Sequence, residues 1–317
     1  MALSLFFAAL ISSRRLRSFA THGLPIVLLA STACVPSVER ISTATLSQPL
    51  TGTLTVGGST ALQPLVEQAA MSFQLANPSV QIVVSGGGSG AGRNGVCRGS
   101  LDVGLSDVRL TESEQANLGC GDAVETAIAM DAFVVAANPT GPGMVAALNR
   151  EEMQAIFSGA VHSWSEVGGS NQPLVVLNRI KGSGTRQSMA NYLFSGDDTL
   201  FRGDARELES NEDVARTLGA TPGAISYLST AYLSDPALLT LGIQRPEGLT
   251  LPTRDAIARL QWPIGGPGVA ITKGQRNALA TAFISYMIRP AFQSDGVWST
   301  LGYVPPSNPS IGNPIGQ

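Results

Sequence analysis

The 317-residue chain carries 20 basic and 23 acidic side chains, a formal net charge of −3, with 44% hydrophobic residues. Those values describe a soluble globular protein with room for two domains, and they leave no basic stripe for nucleic acid. Glycine (35) and proline (19) are plentiful, so many turns are expected.

Residues 1–34 read as an export signal with a lipobox. Arg14, Arg15 and Arg17 precede an apolar segment over 24–30, and small residues lead to Cys34. Cys34 is the expected lipidation site, although Ser31 is an atypical residue three positions before it. The mature chain would be exported and anchored at the outer face of the cytoplasmic membrane, or would lie in the periplasm. Removing 1–33 takes three arginines and no acid, leaving 17 bases against 23 acids. A mature charge of −6 opposes an anion, so any anion site must rest on local dipoles and one or two arginines. Cys97 and Cys120 are the disulfide candidate, a bridge that would contribute roughly 3 kcal/mol. Two free thiols are the alternative. Neither cysteine has a histidine companion, so no metal is expected, and no cofactor either.

Residues 35–50, rich in Ser, Thr and Pro, read as a flexible tether. A strand over 53–56 leads to the turn Gly57-Gly58-Ser59-Thr60. Leu62, Leu65, Val66, Ala69, Ala70 and Phe73 then fall at helical spacing, and Asn77-Pro78 stops that helix. A strand over 80–84 enters a long glycine turn over 86–92. A short strand over 101–105 ends in Ser106-Asp107. The apolar segment 127–136 reads as a strand pair closed by Asn138-Pro139. In the second half a short helix covers 149–157, and a strand over 174–177 leads to Arg179 and a turn over 182–185. Helix 211–218, strand 222–227, strand 269–272 and a closing helix 279–288 complete the walk. Strands alternating with helices indicate an α/β protein with mostly parallel sheets, which binds ligands at the carboxyl ends of its strands.

Two glycine–serine turns stand out: Gly86-Gly87-Gly88-Ser89-Gly90-Ala91-Gly92 and Gly182-Ser183-Gly184-Thr185-Arg186. Each joins a β-branched run to a helical stretch. Such a turn aims free N–H groups and hydroxyls at one spot where the helix dipole favours negative charge. With Gly57–Gly58–Ser59–Thr60 as a third and Arg179 nearby, they suggest a cage for a small oxyanion.

Taken in order, these motifs resemble the phosphate-binding proteins of bacterial phosphate ABC importers, in the type II periplasmic binding protein superfamily. Gly223-Ala224-Ile225-Ser226-Tyr227 and the segment 151–169 with Trp164 add to the resemblance, which spans about 54–305. It implies a two-lobed Venus-flytrap α/β fold, each lobe a mixed, mostly parallel sheet flanked by helices. Lobe I would take 51–130 plus 260–317, and lobe II 131–259. The implied ligand is inorganic phosphate. Thr60 and the Ala61 amide would hold it at the first helix start, Ser89 at the second, and Ser183, Gly184 and Thr185 at the third. Arg179 would supply the charged fork. Asp107 would accept the proton of phosphate and so reject sulfate, which carries none at neutral pH. The implied partners are the permease and ATPase subunits of an importer and, through a lipid anchor, the membrane; the chain is expected to be a monomer. In that family an acid usually stands two residues after the arginine, where this chain has Lys181.

Two other readings remain open at this stage. One is a binding module for another oxyanion, or a phosphate sensor or surface protein reusing the fold. The other is a phosphate-ester hydrolase, which His162 disfavours: it is the one histidine after the signal and stands far from the turns in sequence. Tyr227, Tyr232 and Trp164 read as core or cleft-wall packing.

Overall fold

The structure, a computed structural model, describes residues 49–306 apart from 141, 144, 233–235, 275 and 276. The export signal, Cys34 and nearly all of the tether lie outside the described residues. Leu50, at the end of the tether segment, already packs against the apolar core.

The first part of the fold alternates strand and helix: β1 (Gly52–Gly58), α1 (Gln63–Ala76), β2 (Val80–Gly87), α2 (Gly88–Arg98) and β3 (Val103–Ser106). β1 lies between β2 and β3, parallel to both. Helix α1 forms where the spacing places it. Its buried face is Leu65, Val66, Ala69, Ala70 and Phe73, and each large apolar side chain contributes about 1.5–3 kcal/mol. Asn77 ends it, donating from Nδ2 to the Phe73 carbonyl at 2.9 Å, and Pro78 cannot continue it.

The glycine-rich segment 86–92 is not one long turn. β2 runs through Gly87, α2 begins at Gly88, and only these two residues turn the chain, with φ of +112° and +84°. Gly86 is still in β2, and Gly90 and Gly92 are inside the helix for a packing reason. A Cβ on Gly92 would stand 2.4 Å from the Leu105 carbonyl oxygen and 2.9 Å from that of Gly57, so glycine lets α2 press against β1 and β3.

After α3 (Glu112–Leu118) comes β4 (Ala123–Ala137), one continuous strand of 15 residues rather than the strand pair read from sequence. It contains no glycine, proline or asparagine to turn it. Two partners far away in sequence keep it continuous. Its first part, Ala123 to Ala132, pairs antiparallel with β12 (Gly265–Lys273); its last part, Phe133 to Ala137, pairs antiparallel with β8 (Ala224–Ser229).

Between them run β5 (Ala147–Leu148), α4 (Arg150–Ser158), β6 (Val175–Arg179), α5 (Gly184–Phe194), β7 (Arg206–Leu208) and α6 (Asn211–Ala220). β9 (Leu239–Thr240) pairs with β4, while β10 (Gly242–Arg245) and β11 (Gly248–Thr250) join β5 in a small separate sheet. The main sheet has the order β2-β1-β3-β12-β4-β8-β6-β7. It is parallel toward both ends and antiparallel through the middle, where β12 and β4 lie.

The apolar interior divides into two large clusters. One gathers Leu54, Leu65, Phe73, Phe283 and Trp298 around β1 and α1. The other gathers Phe133, Phe157, Trp164, Tyr227 and Trp262 around β4, β6 and β8. A smaller cluster contains Cys97 and Cys120, which are joined in a disulfide with Cα atoms 5.2 Å apart.

Candidate functional site

Three helix starts converge. After β1, the Ser59 hydroxyl oxygen accepts hydrogen bonds from the Ala61 and Leu62 amides at 3.1 and 3.2 Å and donates to Asp107 Oδ1. At the start of α2, Ser89 Oγ accepts from the Asp107 amide at 3.0 Å. At α5, Ser183 caps the helix, accepting from the Arg186 amide at 3.3 Å, and Thr185 Oγ1 donates to Asp107 Oδ2 at 3.4 Å. The second and third starts touch directly, through Gly90 N–H donating to the Gly182 carbonyl at 2.9 Å. Gly184 has no room for a side chain: a Cβ there would lie 2.1 Å from Ser89 Oγ and 2.8 Å from Asp107 Oδ2.

Arg179, at the end of β6, is 1% exposed. Its Nη2 donates to Thr60 Oγ1 at 3.2 Å and to the Glu209 carbonyl at 2.9 Å; Nη1 donates to Thr185 Oγ1 at 3.3 Å and Nε to the Leu208 carbonyl at 3.2 Å. Burial lowers its pKa, and neighbours including Asp107 offset this in part, but a guanidinium keeps its proton throughout the working range. Lys181 is exposed, and the arginine is held in place by the two backbone carbonyls instead of by an acid. Arg186, also buried, braces the turn from behind. It donates to the Arg179 carbonyl at 2.6 Å, pairs with Glu207 and Asp198, and lies over the Phe201 ring.

Asp107 is the one acid lodged among these donors. Burial raises its pKa above the ordinary carboxylate value, while hydrogen bonding from Ser59, the charge of Arg179 and bonding from Thr185 and Ser89 oppose the rise.

All eight residues named as ligands from sequence are therefore brought to one cluster: Thr60, Ala61, Ser89, Asp107, Arg179, Ser183, Gly184 and Thr185. Two more belong to it. Ser59 stands inside a quoted motif but received no role. Asn211 is fully buried and donates from Nδ2 to Thr60 Oγ1 at 3.1 Å and to Thr185 Oγ1 at 3.4 Å. Its sequence signal is slight. Ser210 caps α6, so the asparagine beside it is free for another task.

Tyr227 and Trp164 are fully buried in the core, the phenol bonded to Asn178 and the indole donating to the Gly223 carbonyl at 2.9 Å. Tyr232 is part-buried, which pushes its phenol up to about 12. His162 is exposed, its amide bonded to Glu166. Among the described residues, no group of His, Cys, Asp and Glu is arranged to hold a metal. Hydroxyls, amides, one guanidinium and one carboxylate acceptor suit a tetrahedral oxyanion that carries a proton.

Comparison with known proteins agrees in kind. Residues 43–291 match the family described as the PBP superfamily domain. The chain is 33% identical to the phosphate-binding protein PstS of Bacillus subtilis over 254 residues, covering 80% of this chain and 81% of that one. It is 24% identical to PstS of Borreliella burgdorferi, over 74% of this chain and 84% of its relative. A phosphate-bound crystal structure of a putative phosphate ABC transporter substrate-binding protein from Clostridium perfringens superposes with a TM-score of 0.73. That pair is 21% identical and covers 81% of this chain and 100% of the other, a likeness of fold. The fold is thus the two-lobed α/β arrangement of periplasmic binding proteins. By family match and by sequence identity, the chain belongs to the PBP superfamily, among its phosphate-binding proteins.

Proposed function

We propose that this protein captures inorganic phosphate outside the cytoplasmic membrane and delivers it to the permease and ATPase subunits of an ABC importer. The observation that carries the reading is the placement of Asp107, a buried acceptor among hydroxyl donors and a buried guanidinium. The helix starts at Thr60–Ala61, Ser89 and Ser183–Gly184–Thr185 would donate to the phosphate oxygens. Arg179 would neutralise their charge, and Asp107 would take the remaining proton. A carboxylate facing an anion repels it unless the ligand brings a hydrogen to share, so phosphate is accepted and sulfate is not.

The same reading assigns lobe I to 51–130 plus 260–317 and lobe II to 131–259, with the lobes closing on the ion as a monomer. The two apolar clusters follow that division except that Ala61, Met130, Trp262, Ile264 and Val304 pack with the second cluster, and the Arg179–Thr60 and Gly90–Gly182 bonds are contacts that closure would make. Export and anchoring at Cys34 rest on sequence. Binding without chemistry is the expected role, in keeping with the phosphate-binding proteins the chain is similar to. Titration calorimetry with phosphate and arsenate, both protonated near neutral pH, should show saturable one-site binding. A folded protein that binds neither would overturn the reading.

A further inference from the structure

One carboxylate near the site has no place in the ligand set above. Asp131 interrupts the apolar run of β4 close to where that strand passes from pairing with β12 to pairing with β8. It is 1% exposed. Oδ1 accepts from the Ser229 hydroxyl at 3.0 Å, whereas Oδ2, also buried, makes no hydrogen bond. The Ser229 amide donates to Asn211 Oδ1 at 3.0 Å, and Asn211 Nδ2 reaches the Thr60 and Thr185 hydroxyls. A single line of contacts therefore leads from Asp131 to hydroxyls on two of the three helix starts. It crosses from β4 through β8 and α6.

An ionised carboxylate is poorly accommodated where one oxygen meets no donor and, among the described residues, no cation pairs with it; the neutral acid is far less costly there. We propose that Asp131 is an uncharged positioning residue for anion capture, fixing Ser229 and through it the Asn211 amide that aims the Thr60 and Thr185 hydroxyls. The inference rests on the phosphate reading above.

The groups that face Asp131 fit this role. Asp107 approaches from the end of β3, Tyr303 from the C-terminal segment and Tyr232 from the turn after β8. From β12, Gly266 stands opposite and offers no charge. Arg179, the cation of the cluster, is engaged with Thr60, Thr185 and two carbonyls. Burial raises the pKa of Asp131 well above the usual value and Asp107 raises it further, with Ser229 and the Ala132 amide opposing them. A charge on Asp131 would face both Asp107 and the bound anion. Phosphate affinity should therefore decline as pH rises through the raised value.

The test is the phosphate dissociation constant of the wild type, Asp131→Asn, Asp131→Ala and Ser229→Ala, measured between pH 5 and 9. Unfolding temperature without phosphate is recorded alongside as a check on folding. Comparing proteins at equal pH cancels the ionisation of phosphate itself. Asparagine, which keeps a bond to Ser229 and cannot ionise, should bind like the wild type at low pH and ~tenfold more tightly than it at pH 9. Alanine at 131 or 229 should weaken binding ~tenfold at every pH. If all variants follow the wild-type profile, Asp131 positions nothing. If asparagine at pH 5 loses as much as alanine, the charge is needed and the inference falls. A folded wild type that does not bind phosphate would instead overturn the functional reading on which this stands. Should the alanine variants fail to fold, the asparagine pH profile decides alone.

Discussion

In the proposed site, Arg179 and Asp107 would divide recognition between them by charge. The guanidinium is fully buried and fixed by the Leu208 and Glu209 carbonyls, so its fork is set before any ligand arrives. Arg179→Ala should cost about 3–5 kcal/mol of phosphate binding, a loss of affinity that calorimetry reads directly. Asp107→Asn should behave differently. An asparagine can donate to an unprotonated oxygen, so phosphate affinity should drop modestly while sulfate begins to compete. Protonation of Asp107 does the same in the wild type. Its pKa is raised by burial, so the carboxylate form is lost at a higher pH than for an ordinary aspartate. Phosphate-over-sulfate selectivity should hold at neutral pH and shrink as pH falls through that raised value, which competition titrations across pH 4 to 8 would follow. Selectivity that stays constant across that range would exclude Asp107 as its source.

Among the elements, the glycines of α2 are the most telling. Gly92 sits where a Cβ would meet two backbone carbonyls, neither of which can move aside as a side chain would. Gly92→Ala should therefore destabilise the fold by about 2–4 kcal/mol and push Ser89 out of place, seen as a lower unfolding midpoint together with weaker phosphate binding. From sequence alone these glycines look like a long loop, because conformational freedom is their usual use. Here the close approach of α2 to β1 and β3 requires Gly92, and the approach of α2 to the Gly182 turn crowds Gly90, tertiary facts with no local signature. α1 was fully legible since its apolar spacing and its Asn77-Pro78 stop are local. β4 was not: a run of apolar residues suggests a pair of ordinary strands, and only β12 and β8, each about a hundred or more residues away, keep it continuous. α3 lies outside the elements read from sequence although Thr111 and Glu114 form a capping box at its start. The residues proposed as ligands are legible because most of them sit in strand-to-helix motifs, with Arg179 at the end of β6 just before one. Asn211 and Asp131 sit in an ordinary helix start and an apolar strand, and only folding reveals what they touch.

At the scale of the whole molecule, an acidic chain holds an anion by enclosing it. The long-range field of the protein opposes phosphate, so affinity would come from groups on both proposed lobes at once, Thr60 as donor and Asp107 as acceptor on one side and Arg179 and Thr185 as donors on the other. Phosphate should accordingly couple the two halves and stabilise the fold, by about 4 kcal/mol when its free concentration is ~1,000 times the dissociation constant. A thermal melt with and without phosphate checks this, and an unchanged midpoint at saturation would contradict it. The most direct test of the central claim is the phosphate titration at neutral pH in the presence and absence of millimolar sulfate. A protein that detects the ligand's proton through Asp107 gives the same phosphate dissociation constant in both. A constant that weakens in proportion to sulfate would show a cage for oxyanions in general.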